Sequence, residues 1–281
     1  MLTYPTIDPV IFALGPLQVR WYGLMYVLGF LAAYQLVSLQ ARQFSCERLR
    51  QRLDNLNLAL IIGVVLGGRL GYVLFYNPAY YLAHPLEIPA TWSGGMSFHG
   101  GCLGALVAGL LYCRRAGLDF WQTADLYVVT APVGLFFGRV GNFINGELYG
   151  RATTVPWGMV FPDGGPLPRH PSQLYEAGLE GIVLFLILWP LRRLPWTRPA
   201  PPRWPHGTLL ALFLGLYGLF RFAVEFFREP DSQLGLLFLH LSMGQLLCLV
   251  MLAVAALLWH QRKTALARTL SGQQRRSAPR R

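Results

Sequence analysis

Seven runs of about 20 mostly apolar residues constrain this chain most, because a helix needs roughly that length to cross a bilayer. They fall at 19–40, 56–76, 96–113, 122–140, 173–191, 207–227 and 242–260. Charged residues make up 13% of the 281 residues and apolar residues 54%, which excludes a disordered chain, a coiled coil and a disulfide scaffold. The expected fold is all-α: a polytopic membrane protein with seven transmembrane helices. A single transmembrane domain is expected over 1–260, with a small outer loop region at about 141–172. Residues 261–281 are expected to form a disordered basic tail. Runs three to five are the weaker ones, since they contain Gly, Pro, His, Arg or Glu. Glycines at four-residue spacing, Gly63, Gly67 and Gly71 in run two and Gly134 and Gly138 in run four, predict close helix approach in lipid. The stretch 195–205 reads as a stiff Pro-rich linker. Cys46, Cys102, Cys113 and Cys248 are scattered without metal-ligand spacing. Residues 1–19 carry no positive charge, so the first run is read as a retained span rather than a cleaved leader.

The chain carries 24 basic and 13 acidic residues, a formal net charge of +11. Seventeen bases sit in four segments, 41–52, 114–121, 192–206 and 261–281. These are alternate loops, and cytoplasmic loops are enriched in Lys and Arg. The N-terminus is therefore expected outside and the C-terminus inside. Bases split over four segments, with no recognised module, argue against nucleic-acid binding.

Seven arginines remain: Arg20, Arg69, Arg139, Arg151, Arg169, Arg221 and Arg228. Following each run's direction puts the polar residues of the spans in the outer half of the membrane. Ionisable residues there are costly and mark function by default. Tyr217, Arg221, Glu225 and Arg228 are spaced i, i+4, i+8 and i+11, which puts them on one helix face. Glu176 and Glu180 share a face of run five and are expected to pair with buried arginines. Arginine's planar fork suits phosphate, so an anionic lipid headgroup is the expected ligand.

Two motifs sharpen this. His99 lies in S-G-G-M-S-F-H-G-G-C-L-G (93–104), flanked by Gly94, Gly95, Gly100 and Gly101. Those glycines leave the backbone bare for a bulky substrate, and His99 accepts a proton near neutral pH. Arg139, Asn142, Asn145, Glu147 and Arg151 are interleaved with glycine in G-R-V-G-N-F-I-N-G-E-L-Y-G-R (138–151), more polar groups than a capping loop needs.

At these residues the chain closely resembles the prolipoprotein diacylglyceryl transferases of bacterial inner membranes. The signature G-R-x-G-N-F-x-N-x-E-x-x-G is met in full from Gly138 to Gly150. Matches also occur at 21–26 (W-Y-G-L-M-Y), 67–72 (G-G-R-x-G-Y), 98–101 (F-H-G-G), 169–176 (R-H-P-S-Q-L-Y-E) and 220–231 (F-R-x-x-V-E-F-F-R-x-P-D). The resemblance covers about Asp8 to Gln245. The loop between Arg151 and Arg169 is short compared with some members, and the tail after Arg262 has no usable counterpart.

The resemblance implies transfer of a diacylglyceryl group from phosphatidylglycerol to the lipobox cysteine of a preprolipoprotein. A thioether forms and glycerol 1-phosphate leaves. The implied partners are phosphatidylglycerol and a lipobox signal peptide. The implied site faces the periplasm from the outer leaflet, and no cofactor or metal is expected. Within that reaction His99 is the expected base, helped by Tyr22 or Tyr26, because sulfur attacks as thiolate. Arg139 and Arg221 are expected to hold the leaving phosphate, with Asn142 on the headgroup. Glu147 and Glu225 orient the arginines, and Tyr217, Gly94, Gly100 and Gly150 line the substrate site. Two other classes were weighed. A transporter should show inverted repeats or helices broken near the midplane; the chain shows no repeat, and its charges sit off-centre. A lipid-binding scaffold for anionic lipid leaves the glycine-flanked histidine unexplained.

Overall fold

The computed structural model describes residues 2–5, 7–15, 17–197, 204–229 and 241–277. Arg198 and Arg203 of the linker, Pro230 and Asp231 of the arginine-rich motif, and residues 278–281 of the tail lie outside the described residues. The chain is mostly helical, 69%, and divides into two compact units, residues 38–123 and residues 1–37 with 124–281.

In chain order, a hairpin of β1 (Val10–Leu14) and β2 (Leu17–Arg20) runs straight into α1 (Trp21–Gln43). Next come α2 (Glu47–Arg50), α3 (Leu53–Phe75), α4 (Pro78–Ala83) and α5 (Phe98–Ala116). Then follow α6 (Phe120–Val128), α7 (Ala131–Ile144), α8 (Ser172–Glu176), a π-helical stretch (Ala177–Val183), α9 (Leu184–Leu191), α10 (Thr208–Val224) and α11 (Met243–Ser277). Each of the seven apolar runs falls on helix. Four helices are long and apolar enough to cross a membrane: Trp21–Gln43, Leu53–Phe75, Ser172–Trp196 and Met243–Ser271. The pair α6 and α7 makes a fifth if its 41° bend is one broken span. The bend follows from Pro132 in the first turn of α7, where a missing N–H interrupts the helical ladder. At 17 residues α10 is shorter than the others, and α5 carries four glycines, His99, Arg114 and Arg115.

The unit 38–123 is built on the crossing of α3 and α5. A methyl on Gly67 would run into the Gly100 carbonyl and come within 2.7 Å of the Gly104 Cα. Gly63 meets Gly104 and Ala108 in the same way, and Gly71 meets Gly100. This is small-residue packing, which matters in lipid because helices gain little there from burying apolar surface. The second glycine row behaves otherwise, since a methyl on Gly134 or Gly138 would meet nothing within 4 Å. Ser97 caps α5 by accepting from Gly100 N–H at 3.2 Å, and Gly117, at φ +64°, ends it.

In the other unit, Val129, Leu184, Leu188 and Leu209 form a buried cluster, with Trp189, Phe213, Tyr217 and Phe220 packed on it. Asp125 of α6 accepts from the Gly207 and Leu210 N–H groups at 2.7 and 3.0 Å, so an acid from one helix caps the N-terminus of another. The loop region after α7 is folded around Tyr4, Met159 and Phe161. Single bridges Gly150–Arg228, Ala152–Arg169 and Met159–Arg169 stitch it together.

Two local expectations are corrected. The segment before Trp21 is an antiparallel hairpin rather than part of a span; the Asp8 carboxylate accepts from Val10 N–H at 2.8 Å and starts it. The supposed disordered tail continues α11 to Ser277, because Ala, Leu, Arg, Lys and Gln dominate it and favour helix.

Candidate active site

Partner chemistry sorts the seven unexplained arginines. Arg20 is exposed and donates to Gln18 Oε1 at 2.9 Å. Arg69 is 3% exposed, and its fork is consumed by backbone carbonyls: Ile88 at 2.7 Å, Glu87 at 2.8 Å, Gly94 at 2.6 Å and Gly95 at 3.2 Å. Arg151 donates to the Arg228 carbonyl at 2.9 Å. Arg169 holds the Gly164 carbonyl and Glu229, at 2.8 and 2.9 Å, and lies over the Tyr149 ring. These four brace backbone or surface.

The other three converge on one carboxylate: Glu176 forms ion pairs with Arg139 Nε at 2.6 Å, Arg221 Nη1 at 3.0 Å and Arg228 Nη1 at 3.2 Å. Glu180 lies 3.9 Å from Arg139 and 3.7 Å from Arg221, and Glu225 takes Arg221 Nη2 at 2.8 Å. Three formal positive charges thus face three negative ones. Burial is unequal, however. The side chains of Glu176 and Glu180 are 1% and 0% exposed, while those of Arg139, Arg221 and Arg228 keep 18%, 14% and 15%. The acids form the floor and the arginine side chains the more accessible layer. Glu176 closes α8 and Glu180 sits in the π-helical stretch, a winding that recurs at functional sites.

An amide layer continues outward from Arg139, whose Nη1 lies 3.5 Å from Asn142 Oδ1. Asn142 and Asn145 then donate to Glu147 Oε1 at 2.9 and 3.2 Å. Glu147 therefore takes amides rather than an arginine, unlike its expected role, whereas Glu225 does contact Arg221. A cavity of about 270 Å³ lies alongside, lined by Glu147, Leu148, Tyr149, Asp163, Arg228 and Glu229, with Gly146. Leu148 there has φ +59°, a strained conformation for a leucine.

Tyr22 and Tyr26 pair by their hydroxyls at 3.0 Å, and Tyr22 lies against Gly141, where a methyl would meet its ring at 3.0 Å. Tyr217 stacks on Phe213 at 5.8 Å, one turn before Arg221. Gly150 is a close-approach glycine, since a Cβ would run into the Phe227 carbonyl and meet His170 Cβ at 2.8 Å. These residues belong to one unit. His99, Gly94 and Gly100 belong to the other. His99 is exposed on the first turn of α5, beside Phe98. Gly94, at φ +85°, has open space. Gly100 packs against α3, so its missing side chain serves the helix crossing.

Sequence reasoning put Arg228 on the Arg221 face but gave it no role, and it did not give Glu176 its central place. It counted Ser242 and Gln245 among the outer-half polar groups without reading them as a capping box, although S-x-x-Q before an apolar run is that signature.

Comparison with known proteins identifies the family. The sequence model of the family "Prolipoprotein diacylglyceryl transferase" matches residues 9–261. The phosphatidylglycerol--prolipoprotein diacylglyceryl transferase of Desulfotalea psychrophila is 58% identical over 269 residues, covering 94% of this chain and 98% of that protein. The enzyme of the same name from Geobacter sulfurreducens is 57% identical, covering 88% and 92%. That of Pseudomonas paraeruginosa is 50% identical, covering 94% and 98%.

Proposed function

Because this chain belongs to the prolipoprotein diacylglyceryl transferase family, we propose that it moves the diacylglyceryl group of phosphatidylglycerol to the lipobox cysteine thiol of a preprolipoprotein. The thiolate attacks the glyceryl carbon that bears the phosphate. A carbon–sulfur bond forms, the carbon–oxygen bond breaks, and glycerol 1-phosphate leaves with the electron pair. The protein is placed in the bacterial inner membrane with seven spans, N-terminus outside, and the site in the outer leaflet.

One observation carries this reading: Arg139, Arg221 and Arg228 converge on buried Glu176 while their side chains stay partly accessible. Arg139 has one short contact, and its others lie at 3.5 and 3.9 Å, so its remaining donors are free to turn to a phosphate. Charge grows on that phosphate as the carbon–oxygen bond breaks, so arginine contacts strengthen in the transition state and raise kcat. His99 takes the thiol proton, and the paired hydroxyls of Tyr22 and Tyr26 assist it. Asn142, held by Glu147, contacts the headgroup, and Gly94, Gly150 and Tyr217 border the substrate.

The test is to incubate purified protein with phosphatidylglycerol and a lipobox peptide, following peptide mass and glycerol phosphate release. A diacylglyceryl adduct with matching phosphate release is expected. His99→Gln should abolish transfer, and near-normal transfer by that variant would remove the base assignment. Arg139→Ala and Arg221→Ala should each cost about 100-fold or more; retention of most activity by both would remove the phosphate clamp.

A further inference from the structure

The region beside Arg221 holds a feature that the transfer reaction does not explain. Ser242 and Gln245 form a reciprocal capping box at the start of α11: Gln245 N–H donates to Ser242 Oγ at 3.2 Å, and Ser242 N–H donates to Gln245 Oε1 at 3.0 Å. Both residues are buried. A capping box needs the serine oxygen only as an acceptor, which leaves the hydroxyl hydrogen to be placed. It goes to Glu225, whose Oε1 lies 3.0 Å from Ser242 Oγ. Glu225 Oε2 in turn forms an ion pair with Arg221 Nη2 at 2.8 Å.

The residue between them is fitted to this contact. A methyl on Gly244 would stand 2.6 Å from Glu225 Oε1 and 2.7 Å from its carboxyl carbon. Glycine here lets the carboxylate rest directly on the first turn of α11. Glu225 is thus held from two sides, by a hydroxyl and by bare backbone.

We infer that Ser242 is a positioning residue for the transfer: through Glu225 it fixes the guanidinium plane of Arg221 that meets the leaving phosphate. The inference rests on the proposed transferase reading. Arg221 has two other carboxylates available, Glu176 and Glu180, at 3.0 and 3.7 Å. Without the Ser242 bond, Glu225 is free to swing and Arg221 to collapse onto that acidic floor. Its charge would remain in place but its orientation would be lost, and misplacement of about 1 Å costs about 100-fold in rate.

Variants separate this role from helix capping. Ser242→Asp still caps α11, since Asp is a good N-cap, but sets a carboxylate against Glu225. Ser242→Asn and Ser242→Thr cap and also offer a hydrogen to Glu225. Gly244→Ala leaves Ser242 intact and pushes Glu225 away, while alanine favours helix. Thermal midpoints in detergent, and kcat and KM for phosphatidylglycerol with a lipobox peptide, are measured for all four beside wild type.

Ser242→Asp is expected to lose about 100-fold and Gly244→Ala about 10-fold, mainly in kcat, with midpoints close to wild type. The Asn and Thr variants should retain most activity. Wild-type rates in both Ser242→Asp and Gly244→Ala would overturn the inference. So would equal losses in the Asp, Asn and Thr variants that track their midpoints, since capping alone would then explain Ser242. Absence of transfer in wild type would instead overturn the transferase reading from which the inference starts.

Discussion

Arg69 is buried and Arg221 half-buried, both in apolar helices, yet they are built into different chemistry. Arg69 donates to four backbone carbonyls of the 87–95 loop. Those acceptors are neutral and covalently part of a folded loop, so moving one means unfolding it. Arg221 faces carboxylates, shared with Arg139 and Arg228. Such contacts are exchangeable, because a phosphate offers the same kind of oxygen and charge. Burial alone therefore does not identify a ligand-binding arginine. The identity of its acceptors does.

The largest effect should come from Glu176, where that comparison is most exposed. Glu176→Ala leaves three guanidiniums around an empty position, and stripping one partner from a buried ionic cluster costs about 3–5 kcal/mol. The expected outcome is a sharply lowered thermal midpoint in detergent together with loss of transfer. A variant that melts and transfers like wild type would break the idea that one carboxylate organises the site.

Arg69→Ala comes next. It leaves several loop carbonyls without a charged donor, a loss of about 3 kcal/mol. Hydrogen exchange should rise selectively over residues 87–95. Arg69→Lys should not restore protection, because an ammonium cannot reproduce the fork that reaches four carbonyls. Unchanged exchange in both variants would show that the loop is held by something else.

That sorting was not legible in the sequence, where Arg69 and Arg221 look alike. Hydropathy located the seven helical runs, since the apolar content of a lipid-facing helix is written locally. Helical spacing put Arg221 and Glu225 on one face, and the i, i+4 pair Glu176 and Glu180 pointed to arginine partners. What a given arginine bonds depends on segments far apart in the chain, such as residues 69 and 94 or 139 and 176, and periodicity does not record it. The hairpin before Trp21 escaped notice because its strands are five and four residues long, too short for alternation to stand out from the apolar run beside them. The glycine rows looked equivalent too, although a methyl would strike a partner backbone only in the first.

The glycine rows make a smaller and cleaner test. Gly67→Ala forces a methyl against the α5 backbone and should cost about 1–3 kcal/mol. Gly134→Ala enters open space and gains helix propensity, so its midpoint should match or slightly exceed wild type. Equal midpoints for the two variants would remove the packing distinction.

The smallest effect is a pH dependence in the loop region that borders the cavity. His170 is partly buried, its Nδ1 lies 3.0 Å from the Tyr175 hydroxyl, and its carbonyl accepts from Gly150 N–H at 2.8 Å. Burial disfavours the imidazolium and lowers the His170 pKa from its ordinary value of 6.5. Below 6.5 the unfolded chain then binds more protons than the folded one, so stability rises with pH in that window. The contribution is complete above pH 6.5 and is lost as pH falls through the lowered folded pKa. Acidification from pH 7.5 to 5.5 should therefore lower the wild-type midpoint more than that of His170→Gln, which keeps an amide for Tyr175 but does not titrate. Identical pH slopes for the two proteins would place the titration elsewhere and leave His170 with a packing role only.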